Sequence, residues 1–180
     1  DMQVVRMEVL LKDLLWLSRI ETIEGAEKTL PINMTDLVTE ITEDLRAAYP
    51  ERKIDTQLAH DDVILGDATE LHSAVSNLVV NALKYSGHDD LVTVEWKLDG
   101  GYPTLTVRDE GEGIKPQHIP RLTERFYRVD KSRSQTTGGT GLGLAIVKHV
   151  AVSHNAELLI DSVYGQGSVF SMVFKPHPNG

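Results

Sequence analysis

Apolar residues recur at helical intervals over the first twenty positions of the chain. This spacing predicts one long helix over residues 2–21. The apolar positions are Val4, Val5, Met7, Leu10, Leu11, Leu14, Leu15 and Leu17. A stripe this broad must be buried against another helix, and no second helix of similar length stands beside it in the sequence. We interpret the segment as half of a helical hairpin, followed by a connector over residues 25–33.

Beyond the connector, the pattern alternates between amphipathic helices and short strands. The first of these helices is stopped at Pro50, and its apolar face consists of Leu37, Val38, Ile41 and Leu45. Two more are predicted over residues 68–85 and 142–154, the former capped by Asp67 with Glu70 three residues on. Strands are predicted over residues 53–58, 63–65, 92–98, 104–109, 157–162 and 168–174. Helices over one face of a mixed or antiparallel sheet predict an α/β two-layer sandwich.

Composition narrows the class of protein. A chain of 180 residues, 41% hydrophobic and 25% charged, is large enough for one domain with a real core. It contains no cysteine, which excludes disulfide scaffolds, zinc–thiolate sites and cysteine catalysis. No apolar run approaches the ~18 residues that span a bilayer, so we expect no membrane contact by this segment.

The charge is unevenly distributed along the chain. The net charge of −9 argues against non-specific binding of nucleic acid. Residues 115–133 nevertheless contain six basic and two acidic residues. This basic segment favours a small anionic ligand held locally, although a solvated loop explains it equally well.

A polar stripe marks the helix predicted over residues 68–85. Asn77, Asn81 and Lys84 fall at i, i+4 and i+7, away from the apolar face. Asparagine is a poor residue for a helix interior, because its amide competes for backbone hydrogen bonds. Its carbonyl oxygen suits Mg²⁺, an ion that also shares substrate phosphates. For this stripe alone, a solvated helix face is the simpler interpretation.

Asp109 is the last residue of a predicted strand. Strand alternation puts it on the same side as Leu105 and Val107, which is the core side. A buried carboxylate needs hydrogen-bond donors, and Gly111 and Gly113 allow the backbone to approach a ligand closely. The carboxylate could form the floor of a pocket and accept from an exocyclic amine such as that of adenine. An ordinary turn after a strand is the alternative.

A glycine-rich loop runs into the helix predicted over residues 142–154. Residues 138–143 read Gly-Gly-Thr-Gly-Leu-Gly, and backbone N–H groups at such a helix start form an anion site. The loop lacks the Gly-Lys-Ser/Thr of a Walker A motif. It also lacks a dinucleotide fingerprint, because Leu144 stands where a small residue is required. A flexible linker is the alternative.

Taken together and in order, these motifs resemble the four boxes of sensor histidine kinases. Residues 77–86 (NLVVNALKYS) resemble the N box and residues 109–114 (DEGEGI) the G1 box. Residues 125–130 (RFYRVD) resemble the F box and residues 139–144 (GTGLGL) the G2 box. The resemblance covers essentially the whole chain, and residues 118–131 are similar to the phosphate-regulon sensor kinases in particular.

This resemblance implies a fold, a domain division and an activity. Residues 26–180 would form a two-layer sandwich of the histidine-kinase, gyrase and Hsp90 type, and residues 1–25 the second helix of a dimerisation hairpin with its connector. The cofactors would be ATP and Mg²⁺. The γ-phosphoryl group of ATP would pass to a histidine of the hairpin and then to a response regulator. The intact protein would be a homodimer with an inner-membrane anchor, and this segment its cytoplasmic portion.

The resemblance also implies roles for single residues. Asp109 would bind the adenine amine and Tyr85 would pack on the base. Asn81 would hold Mg²⁺, with Asn77 beside it, while Lys84 and Arg128 would contact the phosphates. The latter four residues, Asn77, Asn81, Lys84 and Arg128, would be the catalytic ones. Further cofactor contacts would come from Gly111, Gly113, Ile114, Phe126, Gly139, Thr140, Gly141, Leu142, Gly143 and Leu144.

Two features separate this chain from neighbouring functions. Asn77 stands where related hydrolysing ATPases carry a glutamate, and an amide cannot act as a general base. The acceptor histidine of the family is followed by an acidic residue and by proline five positions on, and none of the seven histidines here combines these features. We therefore expect a catalytic segment without its own acceptor, with residues 114–140 as a mobile lid. A related serine kinase or ATPase, and a non-catalytic nucleotide-binding module, remain alternatives.

Overall fold

A computed structural model describes residues 2–22, 29–59, 63–129 and 139–176. The helices are α1 (Met2–Thr22), α2 (Met34–Ala48), α3 (Ala68–Tyr85) and α4 (Gly143–Ser153). The strands are β1 (Leu30–Asn33), β2 (Lys53–Leu58), β3 (Val63–Gly66), β4 (Leu91–Asp99), β5 (Tyr102–Asp109), β6 (Ala156–Val163) and β7 (Gly167–Phe174). A 3₁₀ turn covers Ile119–Arg121. Parts of the predicted connector and lid, residues 25–28 and 130–138, lie outside the described residues.

In the described part of the chain, five strands form the main sheet in the order β2-β4-β5-β7-β6. Among these described strands, β2 and β4 pair in parallel and the other neighbours are antiparallel. Within this sheet Asp109 stands opposite Val92 of β4 and Ser168 of β7. The register therefore places the carboxylate in the same row as core positions, as strand alternation predicts.

The core lies between this sheet and the helices α2, α3 and α4. Its largest fully buried side chains are Trp96, Met34, Ile41, Leu71, Leu78, Leu105, Leu142, Ile146 and Met172. The rings of Trp96 and Phe174 meet edge to face, with centroids 5.8 Å apart. The α/β two-layer prediction is confirmed, because the alternating strands and amphipathic helices each have one apolar face to bury.

Helix ends are fixed by side chains that the sequence identifies only in part. The predicted cap is confirmed, since Asp67 accepts a hydrogen bond from the Glu70 N–H at 3.0 Å. At the opposite end of α3, Arg52 donates to the Leu83 carbonyl at 2.6 Å and to the Ser86 hydroxyl at 2.6 Å. This guanidinium thereby satisfies groups that the helix leaves open at its C-terminus.

The connector predicted over residues 25–33 contains a strand that the pattern did not indicate. Strand β1 pairs with β3 in a separate two-stranded sheet, with Pro31 opposite Leu65. The strand is only four residues long and its partner lies some thirty residues later, so no local alternation marks it. The predicted strand over residues 63–65 gains one residue, and helix 142–154 is one residue shorter at each end.

Helix α1 has two apolar faces with different surroundings. Leu17 is buried in the core, and Leu10 and Trp16 pack against it. Leu10 and Leu17 belong to the predicted stripe, whereas its other members are exposed, namely Val4, Val5, Met7, Leu11, Leu14 and Leu15. Along the described parts of the chain, no helix combines the length and apolar character that crossing a membrane requires.

Candidate functional site

The predicted site residues converge on the C-terminal half of α3. Lys84 and Tyr85 lie in the last turn of that helix, and the backbone of Tyr85 faces the loop after β5. The start of α4 lies against the same helix at Asn77. Four segments that are far apart in sequence thus form one surface, with a carboxylate at one end and cations at the other.

Asp109 forms the first end of this surface. Its side chain is buried, with 5% of the residue exposed, and it accepts a hydrogen bond from the Gly111 N–H at 2.9 Å. Burial raises the pKa of the Asp109 carboxyl, the charge of Asp90 adds to the rise, and the N–H groups of Gly111 and Ser168 oppose it. The carboxylate keeps acceptor capacity beyond these bonds, because two oxygens offer about four lone-pair sites.

The loop after Asp109 is packed so closely that glycine is required. A Cβ at Gly111 would overlap the carbonyl oxygen of Tyr85 and come within 2.9 Å of the Asp109 Oδ1. Gly113 has a φ of +70°, and a Cβ at this position would overlap the carbonyl oxygen of Val163. The G1 glycines therefore hold the backbone between the end of α3 and the β6–β7 turn.

Two serines anchor this loop, and sequence reasoning missed both. The Ile114 N–H donates to the Ser162 hydroxyl at 2.8 Å, and the Ser162 hydroxyl lies 2.9 Å from the Ser168 hydroxyl. Ser162 is also within 2.9 Å of the Gly167 carbonyl. Serines at strand ends are common, and only the antiparallel pairing of β6 with β7 brings these two to the loop.

Lys84 and Arg128 form the second end of the surface. A Cβ built on Gly139 would lie 3.4 Å from Arg128 Nη2 and 3.9 Å from Lys84 Nζ, so both cations approach the glycine-rich backbone. Protein atoms crowd the Lys84 ammonium, although the residue as a whole is exposed. Burial and then the charge of Arg128 lower the pKa of Lys84, while Asp13 opposes the shift. Two positive groups held together in this way form a site for an anion.

Thr140 connects this second end to α1. Its hydroxyl donates to Asp13 Oδ2 at 2.9 Å and accepts from the Leu142 N–H at 3.3 Å. Asp13 is a site residue that the sequence did not reveal, because an aspartate on a charged helix carries no local signal. Leu142 itself is fully buried, and its N–H is bonded to Thr140.

The two asparagines of α3 differ in their surroundings. The Asn77 amide nitrogen donates to the Ser73 carbonyl at 2.8 Å, and its oxygen faces Gly143 at the start of α4. Asn81 lies one turn later and is half-buried. Asn77 therefore faces the start of α4, while Asn81 is partly shielded and Lys84, the third member of the stripe, is exposed.

The F-box residues hold the loop before α4. Phe126 has a φ of +63°, its ring is exposed, and its N–H donates to the Gly141 carbonyl at 2.9 Å. Tyr127 hydrogen-bonds to His118 at 2.5 Å, and the guanidinium of Arg121 lies 4.4 Å from the centre of the Tyr127 ring. These contacts orient the segment that carries Arg128.

The remaining predicted residues fall into two groups. Tyr85 is half exposed at the rim of the surface. Ile114 and Leu144 are partly buried and pack against the core. The structure thus brings together the N, G1, F and G2 boxes as one surface.

Comparisons with known proteins place this surface in a family context. The family model for histidine kinase-, DNA gyrase B-, and HSP90-like ATPases matches residues 66–178. The phosphate regulon sensor protein PhoR of Pseudomonas aeruginosa is 45% identical over 97% of this chain and 40% of its own length. The structure of the mycobacterial sensor histidine kinase MprB has a TM-score of 0.71 and 30% identity, over 81% of this chain and 96% of that one. Full-length ShkA in complex with AMPPNP has a TM-score of 0.75 and 25% identity, over 94% of this chain and 36% of that one.

The chain therefore belongs to the histidine kinase-, DNA gyrase B- and HSP90-like ATPase family, as the catalytic domain of a sensor histidine kinase. The family and fold predicted from the four boxes are confirmed. The chain spans about 40% of the length of the phosphate regulon sensor proteins that it matches.

Proposed function

We propose that residues 26–180 bind ATP across the surface described above and transfer its γ-phosphoryl group to a histidine. The observation that carries this proposal is the pairing of a buried acceptor with converging cations on one surface. Asp109 offers a carboxylate to the adenine amine, while Lys84 and Arg128 offer charge to the phosphates. A protein that bound only a phosphate group would not need the buried carboxylate.

The residues present fit Mg²⁺ as a partner of the phosphates. Asn81 would hold the ion, with Asn77 beside it, because a half-buried amide supplies a neutral oxygen next to the cationic end. The ion would supply neutralisation of phosphate charge. Asn77 donates to the backbone of its own helix and offers no basic group, so it does not activate water for hydrolysis.

In the proposed transfer, an imidazole nitrogen of the acceptor attacks the γ-phosphorus. The N–P bond forms, the bond to the bridging oxygen breaks, and ADP leaves with that electron pair. Lys84 and Arg128 hold the phosphates in place and neutralise charge, and the backbone at Gly139 and Thr140 orients them. The imidazole loses its proton to solvent or to a neighbouring carboxylate.

The wider arrangement is part of the same proposal. Residues 1–25 would be the second helix of a dimerisation hairpin with its connector. The exposed apolar stripe on α1, including Val4, Met7 and Leu11, would pack on the rest of that hairpin in a homodimer. The phosphoryl group would pass to a response regulator, and the similarity to phosphate regulon sensor proteins favours a role in phosphate sensing. The intact protein would carry this chain on the cytoplasmic side of a membrane anchor.

Nucleotide titration tests the binding part of the proposal. We expect ATP to bind more tightly than GTP, because the base of GTP carries an oxygen acceptor where adenine carries an amine, and this acceptor would meet Asp109 without a donor. Asn81→Ala should remove the Mg²⁺-dependent part of the ATP affinity, whereas Asn81→Asp keeps an oxygen ligand. Equal affinities for ATP and GTP, or a Mg²⁺ dependence that survives Asn81→Ala, would contradict these assignments.

A labelling experiment tests the transfer. The chain incubated with γ-labelled ATP should form no acid-labile phosphohistidine, and addition of a separate hairpin bearing the acceptor histidine should produce slow labelling of that hairpin. The rate should be low because the reaction becomes bimolecular and loses proximity. Acid-stable phosphoserine on the added protein would indicate a serine kinase instead.

A further inference from the structure

Asp13 of α1 joins the cationic end of the site from outside the catalytic domain. Its carboxylate accepts a hydrogen bond from the hydroxyl of Thr140 at 2.9 Å, although the two residues are 127 positions apart in the sequence. Thr140 in turn accepts from the Leu142 N–H just before α4. The carboxylate therefore lies next to the glycine-rich loop to which the phosphates are assigned.

The packing of α1 determines this position. Leu10 and Leu17 stand three residues before and four residues after Asp13 on one helix face, and both pack on the core of the catalytic domain. Trp16 lies beside them and is half-buried. A half-buried carboxylate within an apolar face is costly unless polar partners compensate it. The Thr140 hydroxyl and the charge of Lys84 are those partners.

At the cationic end of the site, the Asp13 carboxylate lies where the negative charge of a bound anion would be expected. Lys84 and Arg128 are close enough for Arg128 to lower the pKa of Lys84, and Asp13 is close enough to oppose that effect. Asp13 and Arg128 therefore act on the Lys84 ammonium with opposite signs. A phosphate group carries more negative charge than a carboxylate and offers more acceptor oxygens.

We propose that Asp13 acts as a built-in competitor of the nucleotide phosphates, so that docking of α1 and binding of a phosphate group at Lys84, Arg128 and Thr140 exclude each other. This inference rests on the proposed function, because it takes ATP as the ligand. Binding of ATP displaces the carboxylate and releases the face of α1 that carries Leu10 and Leu17. Coupling is reciprocal, so a helix held against the domain lowers the affinity for ATP by the same factor.

Affinity measurements on carboxylate variants test the competition. Asp13→Asn removes the charge, and Asp13→Ala also removes the acceptor; both should raise the affinity for ATP by about 5-fold or more, the lower end of typical coupling between sites. Adenosine has no phosphate and should bind the wild type and both variants equally. Glu8→Gln removes an exposed carboxylate from the same helix and serves as the matched control, with no change expected.

Tryptophan quenching tests the release of α1 without any substitution. The chain has two tryptophans, and Trp96 is fully buried, so acrylamide quenching reports on Trp16. ATP should increase the quenching of Trp16, and adenosine should not.

The possible outcomes separate the two proposals. If ATP binds but its affinity is unchanged in both Asp13 variants, or if quenching stays constant at saturating ATP, the competition does not exist and the nucleotide site stands. If neither ATP nor adenosine binds to any variant, the proposed function fails and the inference fails with it.

Discussion

The two ends of the site are built on different physical principles. The Asp109 end is close-packed, since a buried carboxylate, a glycine without room for a methyl group and two serine anchors fix the backbone. The Lys84 end relies on charge, with cationic side chains that approach a glycine backbone and a Thr140 hydroxyl that donates to Asp13 of α1. The first arrangement suits recognition of a base by shape and hydrogen bonding. The second suits an anion that arrives and leaves.

The largest effect that this difference predicts is on glycine substitutions. Gly111→Ala should destabilise the domain by ~1–3 kcal/mol, because the new methyl group would overlap the Tyr85 carbonyl. It should also abolish binding of adenosine. Gly139→Ala is the matched substitution at the other end, where the nearest atoms are 3.4 Å away, and it should leave stability nearly unchanged. Thermal unfolding of both variants checks this, and a larger cost for Gly139→Ala would reverse the comparison.

The next effect concerns the buried carboxylate. Asp109→Asn replaces an acceptor by an amide that must also face the Gly111 N–H, and the affinity for ATP should fall by ~1.5–3 kcal/mol, the scale of a hydrogen bond to a charged group. Calorimetric titration with ATP and with adenosine should show the same loss, because only the base is affected. Asp99→Asn changes an exposed aspartate at the end of β4 and should have no effect. A loss of affinity for ATP but not for adenosine would show that Asp109 does not contact the base.

Lys84 should show a smaller effect with opposite signs on stability and on binding. The pKa of Lys84 is lowered in the folded state, so the charged form costs stability below that folded-state pKa, and the cost disappears as the pH rises through it. Lys84→Met should therefore stabilise the ligand-free domain slightly, by less than ~1 kcal/mol because solvent screens this exposed residue. It should weaken ATP binding several-fold. Lys148→Met, at an exposed lysine of α4, should change neither quantity.

The fold was predictable wherever the apolar residues of a segment repeat at a helical or an alternating strand interval. Helix α3 and strands β4 to β7 follow from amphipathic spacing and alternation, and the Asp67 cap from its place before α3. Strand β1 was not predictable, because it is too short to show an alternating pattern and is a strand only through its pairing with β3. At the site, the predicted N, G1, F and G2 boxes come together in one surface.

The sequence does not identify the other residues that contact this surface. Ser162 and Asp13 take part through contacts across 48 and 127 positions, and neither residue is unusual in its own segment. The exposed face of α1 shows the converse. The predicted stripe correctly indicated a long helix, but of its members Leu10 and Leu17 pack on the core while the others are exposed.

The smallest expected effect is a pH dependence that belongs to the Asp109 end alone. Burial raises the pKa of this carboxyl above its ordinary value, so it takes up a proton at a higher pH than an exposed aspartate does. Protonation removes acceptor capacity from the base site, and the affinity for adenosine should fall as the solution becomes weakly acidic. The raised pKa also means that ionised Asp109 costs folding free energy, and this cost is relieved as the pH falls through the folded-state pKa. Binding should therefore weaken without loss of stability from this group.

A comparison of pH profiles isolates this effect. Adenosine affinity measured from neutral to weakly acidic pH should decline in the wild type more than in Asp109→Asn, because protonation of the base itself affects both proteins alike. Thermal unfolding over the same range shows whether the domain stays folded. Parallel profiles for the two proteins would mean that Asp109 does not titrate in this range, and the base site would then owe its selectivity to the packed backbone around Gly111 rather than to the charge of the carboxylate.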